Sequence, residues 1–135
     1  MNRKLLTTGL AVIGLTLAAA LTPATAALAD NVGSMPSGCS ATPRTPGLSS
    51  TKKVTYGGST SCVYAQVSFF RLVHNFDGLP DARVAEQSYT GKDNSYSGST
   101  CDNGTATTPY YSEVGWSSSL GTVQRVSKTI SLTHC

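Results

Sequence analysis

The sequence predicts an all-β fold, a compact antiparallel β-sandwich of about six to seven strands fastened by two disulfides, with a small β-barrel as the alternative. Three observations predict it. No window of ten or more residues after Ser50 carries a 3.6-residue apolar repeat, so amphipathic helices are not expected. Short runs rich in valine, threonine and tyrosine alternate with glycine- and asparagine-containing turn clusters. Four cysteines, Cys39, Cys62, Cys101 and Cys135, lie in a stretch of about a hundred residues, where a core alone is marginal and covalent staples are common.

The chain opens with MNRKLLTTGLAVIGLTLAAALTPATAALAD. Arg3 and Lys4 form a positive n-region, Leu5 to Leu21 an apolar stretch, and Ala27-Leu28-Ala29 a small-residue cleavage motif, so residues 1–29 read as a secretory signal peptide. Cleavage after Ala26 competes with cleavage after Ala29. Thr7, Thr8 and Gly9 interrupt the stretch and no stop-transfer charges follow, which argues against a membrane anchor. Ser37-Gly38-Cys39 is too distant from the apolar region, and Pro36 is the wrong residue, for lipidation.

Residues 30–50 form an expected irregular arm. They contain three prolines, three glycines and five serines without periodicity, and Val32, Met35, Pro36 and Leu48 are apolar anchors with no fold of their own. Such a segment suits a partner's groove or sheet edge, and suits a spacer equally well.

Residues 51–135 form the expected stapled domain. Lys52 to Tyr56 is a first strand, ended by Gly57-Gly58-Ser59. Cys62 to Val73 is the longest, with Val63, Ala65, Val67 and Phe69 on one face and Tyr64, Gln66 and Ser68 on the other. Phe69-Phe70 followed by Leu72 breaks this alternation, predicting either a bulge or a strand buried on both faces. Asn75 to Asp81 is a turn, Arg83 to Thr90 a strand, Tyr96 to Cys101 a short strand, and Asp102-Asn103-Gly104 a hairpin-type turn. Tyr110 to Trp116 sets Tyr110, Val114 and Trp116 against Tyr111 and Glu113. The run from Thr122 to Cys135 reads as one long central strand burying Val126, Ile130 and Leu132, with Val123 off register.

In an exported chain the four cysteines read as two disulfides. Of the three pairings, Cys39 with Cys62 and Cys101 with Cys135 close the shorter loops and are preferred, while spacing leaves the others open. No two of these cysteines have zinc-site spacing, so no metal is expected. Asp93-Asn94 and Asp102-Asn103 are oxygen-rich but lack calcium-loop spacing. Asn103-Gly104-Thr105 fits a glycosylation sequon, and a tight turn explains it as well.

After signal removal, eight basic residues (Arg44, Lys52, Lys53, Arg71, Arg83, Lys92, Arg125, Lys128) face seven acidic ones, a net charge of +1. That balance gives nucleic acid or an anionic membrane no purchase. No metalloprotease, nucleophile-elbow, phosphate-loop or dinucleotide motif is present, and no cofactor is implied. A triad built on His74, Asp77 and a serine is weaker than a hydrogen-bonded turn histidine, and Glu86 and Glu113, the only candidate carboxylate pair, occupy polar strand positions that usually face solvent. A domain this small also has little room for a deep small-molecule cleft. The expectation is therefore a protein without enzymatic activity.

Tyr110, Tyr111 and Trp116, with Tyr89 and Tyr96 nearby, could stack sugar rings, although aromatics in half-buried strands generally supply core bulk, the reading preferred for Trp116. Arg44, within Thr42-Pro43-Arg44-Thr45-Pro46-Gly47, would suit the primary pocket of a trypsin-like protease, and Leu79-Pro80-Asp81 is a second candidate inhibitory loop.

The alanine- and threonine-rich signal peptide, the short four-cysteine β domain and the Thr/Ser/Gly-rich surface resemble the small exported proteins of filamentous actinobacteria and, more loosely, the adaptor subunits of umbrella toxin particles. That resemblance implies a non-catalytic secreted adaptor that joins a lectin-bearing, degenerate trypsin-like subunit to a spoke of helical repeats, with its N-terminal arm engaging the former. The expected partners are other secreted proteins, with an inhibitor of an extracellular hydrolase as the alternative and a carbohydrate-binding module as a further one.

Overall fold

The computed structural model describes residues 35–102, 106–118 and 121–135. The signal-peptide assignment, Val32 and the Asn103-Gly104-Thr105 sequon lie outside the described residues. Seven strands run in the order β1 (Cys39–Pro43), β2 (Gly47–Leu48), β3 (Val54–His74), β4 (Ala82–Thr100), β5 (Thr107–Ser118), β6 (Gly121–Val126) and β7 (Ile130–Thr133). All pairings are antiparallel, and all seven strands belong to one sheet.

The 21-residue β3 is the spine. One edge pairs with β2, β1 and β5 in turn, and the other pairs with β4 over nearly its whole length. β7 and β6 lie end to end along the far edge of β5. The sheet is curled. Thr60 Oγ1 and Ser68 Oγ are 2.8 Å apart, although eight residues of straight strand would span roughly 26 Å. The β3/β4 ribbon therefore folds over, and its two halves face each other as sandwich layers. Between them Val54 and Tyr56 from the first half meet Leu72 from the second and Tyr110 from β5, with Val84, Ala85, Tyr96 and Leu132 around them.

The bend sits where four residues, Cys62 to Ala65, oppose the single Lys92, between the register pairs Ser61↔Asp93 and Gln66↔Gly91. Beyond it, Ser68, Phe69 and Phe70 are consecutively buried, so this part of β3 is covered on both faces and the bulge lies before it. Val63, Ala65 and Val67, expected on one face with Phe69, are exposed, whereas Phe69 is buried.

Several boundaries differ from expectation for identifiable reasons. Gly57-Gly58 is not a turn but lies within β3, with φ of 141° and 153°. A Cβ at Gly57 would collide with the backbone of Tyr96, and one at Gly58 with that of Thr42, so these glycines let flanking strands approach closely. The segment 39–48, expected to be irregular, forms two short edge strands. Cys39 stands directly opposite Cys62 and their disulfide fixes the register, while Pro43 is tolerated because an edge strand does not need every N–H and Pro46 lies in the link between the two strands. The strands expected at 83–90 and 96–101 are one strand, since β3 rather than β4 absorbs the bend and Asn94 Nδ2 bridges to Gly91 O at 3.2 Å and Ser68 Oγ at 3.1 Å.

The final run is neither single nor central. It breaks after Val126, where the Ser127 N–H donates to Ser112 O at 3.0 Å, and its two pieces pair with different halves of β5. Ile130 is partly exposed, and Val126 and Leu132 are half-buried. The disulfides are Cys39–Cys62 and Cys101–Cys135, and no described cysteine is free.

Candidate interaction surface

The bend that makes the sandwich also makes its most unusual surface. Four residues opposite one cannot all keep their ladder bonds, so the chain swells outward and turns its side chains to solvent. Val63 is 56 % exposed, Tyr64 73 % and Val67 50 %, and Ala65 between them is exposed too. Single apolar residues on a surface are ordinary, but a consecutive cluster is not. The bulge is held in place, because Cys62 is tied to Cys39 and Val63 N donates to Gly38 O at 3.2 Å.

The candidate partner-binding residues divide around this corner. Met35 and Pro36 are half-buried, and Pro36 O accepts from Cys39 N at 3.0 Å, so the arm enters the sheet beside the bulge. Leu48 is exposed on β2 at the other end of the same edge, and Arg44 lies in the kink between β1 and β2. Arg44 does not project freely. Its N–H donates to Gly57 O at 2.8 Å and its guanidinium to Ser97 Oγ at 2.7 Å. The structure thus places Met35 and Pro36 together near the bulge and sets Arg44 and Leu48 apart. Sequence reasoning missed Val63, Tyr64 and Val67, since their alternation fits a buried strand.

The groups with catalytic potential are engaged with one another. Arg71 Nε lies 2.6 Å from Glu86 and its Nη1 3.5 Å from Glu113, so the two glutamates flank one guanidinium from opposite neighbouring strands. Arg83 reaches Glu86 at 2.7 Å, Gln124 donates to Glu113 at 3.2 Å, and Arg71 lies over the Phe69 ring at 3.7 Å. Glu113, expected to face solvent, is buried. Loss of water pushes its carboxyl above the usual carboxylate range despite the opposing pull of Arg71. His74 stacks on Phe76 and sits 4.0 Å from Asp102, not against Asp77.

His134 is buried at the opposite end of the chain from the arm. Its Nε2 is 2.8 Å from the Tyr110 hydroxyl, which donates to Asp102 at 2.6 Å, and its Nδ1 is 2.8 Å from Cys135 O. Among the described residues no three metal-ligating side chains come together.

The aromatic platform is not formed. Tyr110, Tyr111 and Trp116 are all buried, because β5 is covered on both faces. An open groove of about 290 Å³ does cross the β1, β3 and β4 surface, lined by Ser40, Thr42, Ser59, Ser61, Asp93 and Ser95, but it contains no ring and its Asp93 already accepts from Ser61 at 2.6 Å.

The two disulfides point to an oxidising compartment. No helix among the described residues is long and apolar enough to cross a membrane. The chain matches no known protein-family model, no curated protein and no solved structure.

Proposed function

We propose that this chain is an exported, non-catalytic interaction module for other secreted proteins. In its finer form it is the adaptor of an extracellular antibacterial particle, linking a lectin-bearing subunit to a repeat-containing one. The observation that carries the reading is the apolar bulge Val63-Tyr64-Ala65 with Val67, exposed at a corner pinned by the Cys39–Cys62 bridge and adjoining the entry of the N-terminal arm. A preorganised apolar corner loses little entropy on docking, and exposed tyrosine is a favoured anchor in interfaces. The arm would extend the same contact.

Two details weigh against an inhibitor. Arg44 is committed by backbone and side chain to the sheet. Leu79, though 67 % exposed, follows Gly78 at φ 76° and closes a turn onto Phe76 O, which interrupts the extended backbone a protease cleft takes. The burial of Tyr110, Tyr111 and Trp116 weighs against sugar stacking.

The test is affinity purification of the tagged protein from its native culture supernatant at low stringency. Lectin-like and repeat-containing partners in fixed ratio support the adaptor, whereas a lone active protease replaces it with the inhibitor. Tyr64→Asp, at an exposed position, should abolish capture with thermal stability changed by less than about 0.5 kcal/mol. Deletion of Asp30 to Gly38 tests the arm in the same assay, and capture unaffected by either change removes this surface from the reading.

A further inference from the structure

We infer that the outer edge of β4 from Glu86 to Lys92 pairs with the same segment of a second copy of the chain, antiparallel about a twofold axis at Tyr89. The inner edge of this segment is regular, with Glu86 to Gly91 opposite Arg71 to Gln66 residue by residue. Among the described residues β4 pairs with β3 alone, so the outer edge carries a row of unpaired N–H and C=O groups. Such an edge is a template for another strand unless proline, charge or a bulge guards it. Here the guards stand at the ends. Register breaks at Val84, which is left unpaired between Ala85 and Arg83, and breaks again beside Lys92. Between them Gln87-Ser88-Tyr89-Thr90-Gly91 has no charge and no proline.

Within that window the segment is complementary to itself. A twofold axis at Tyr89 sets Ser88 opposite Thr90, Gln87 opposite Gly91 and Glu86 opposite Lys92, the last pair occurring twice. Strand alternation keeps Glu86 and Lys92 on one face. Arg71 and Arg83 both contact Glu86 at Oε2, so Oε1 is the oxygen that would take Lys92 of the second copy, and sliding the window by one or two residues loses that pairing of opposite charges. Tyr89 meets its twin at the centre. It is 42 % exposed, and its ring is held from behind by Phe70 at 6.0 Å and Tyr96 at 5.9 Å between centroids. Seven residues a side make a small interface, so the dimer is weak.

Sedimentation of the mature chain between about 1 µM and 1 mM reads the equilibrium directly. A monomer–dimer transition is expected. Lys92→Glu, an exposed change that sets Glu86 against a second carboxylate, should weaken it about tenfold, and Tyr89→Lys should abolish it. Photo-oxidative tyrosine coupling with persulfate should yield a covalent dimer that is lost in Tyr89→Phe and kept in Tyr64→Phe. A monomer at every concentration overturns the inference. So does a dimer indifferent to Lys92→Glu, or coupling that runs through Tyr64 instead.

Discussion

The Tyr110 hydroxyl and His134 Nε2 are 2.8 Å apart in the interior, and this contact repeats without covalent bonds what the neighbouring disulfide does with one. Asp102 follows Cys101 and His134 precedes Cys135, so the path Asp102, Tyr110, His134 runs beside the Cys101–Cys135 bridge. Cys135 O can only accept, so His134 Nδ1 donates to it. The Tyr110 hydroxyl donates its proton to Asp102, so the row ties Asp102, Tyr110 and His134 to the chain end.

Tyr110→Phe therefore strands a buried imidazole and a half-buried carboxylate, with an expected cost of about 1–3 kcal/mol. For a domain this size each kcal/mol lowers the melting temperature by roughly 4–8 °C. Because the polar row and the disulfide hold the same strand end, their losses should not add. Calorimetry on Tyr110→Phe, on the Cys101→Ala/Cys135→Ala pair and on the combination should show a coupling energy, and strict additivity would refute the shared role.

The tyrosines predict how the protein responds to alkali. Burial raises the ionisation of Tyr56, Tyr110 and Tyr111 beyond the ordinary tyrosine range, helped by hydrogen bonds to Tyr96, Asp102 and Asp81 respectively. A group whose folded value is raised gives stability that is full below its unfolded value, about 10 for tyrosine, and lost as pH climbs above it. Three of the six tyrosines should stay unionised until the chain unfolds. An ultraviolet titration should show them appearing together in one cooperative step, coincident with loss of the β-sheet circular dichroism signal. Smooth ionisation of all six near the ordinary value would contradict the burial.

Gly57 and Gly58 stand where the sheet leaves no room for a side chain. Gly57→Ala and Gly58→Ala each add a Cβ where backbone already stands and where φ is positive, so each should lose at least about 1–3 kcal/mol in denaturant unfolding. An alanine tolerated at either position would mean that the strands are less tightly packed.

The same pair shows what was legible. Composition, cysteine count and alternation were enough for an all-β fold with two disulfides, because those signals are local. Gly-Gly-Ser is a turn signal as well, and only the positions of Thr42 and Tyr96 across the sheet, invisible in the local sequence, make it the centre of a strand. Tyr64 illustrates the same limit at the candidate surface. Its alternation with Val63 and Val67 predicts two ordered faces, and it is the bend opposite Lys92 that turns the stretch outward.

Glu113 and Glu86 share Arg71, and their removal should have unequal effects. Glu86 makes the shorter contacts, to Arg71 and Arg83, and remains partly hydrated. Glu86→Gln should cost about 1–2 kcal/mol by loosening a guanidinium that is largely buried. Glu113 is different, since burial outweighs the attraction of Arg71 and its carboxyl is raised. The sign then follows: its contribution is full below the unfolded carboxylate value, about 4.3, and is lost as pH rises through the folded one. Glu113→Gln keeps the shape, and although its single amide oxygen can accept from only one of Gln124 and Arg71, which in Glu113 donate to different oxygens, the penalty for burying a charge disappears. Relative to the wild type this variant should gain stability between about pH 4 and pH 7. Parallel urea unfolding at both pH values decides the matter, and a Glu113→Gln variant that weakens progressively towards neutral pH would show that Arg71 prevails over burial.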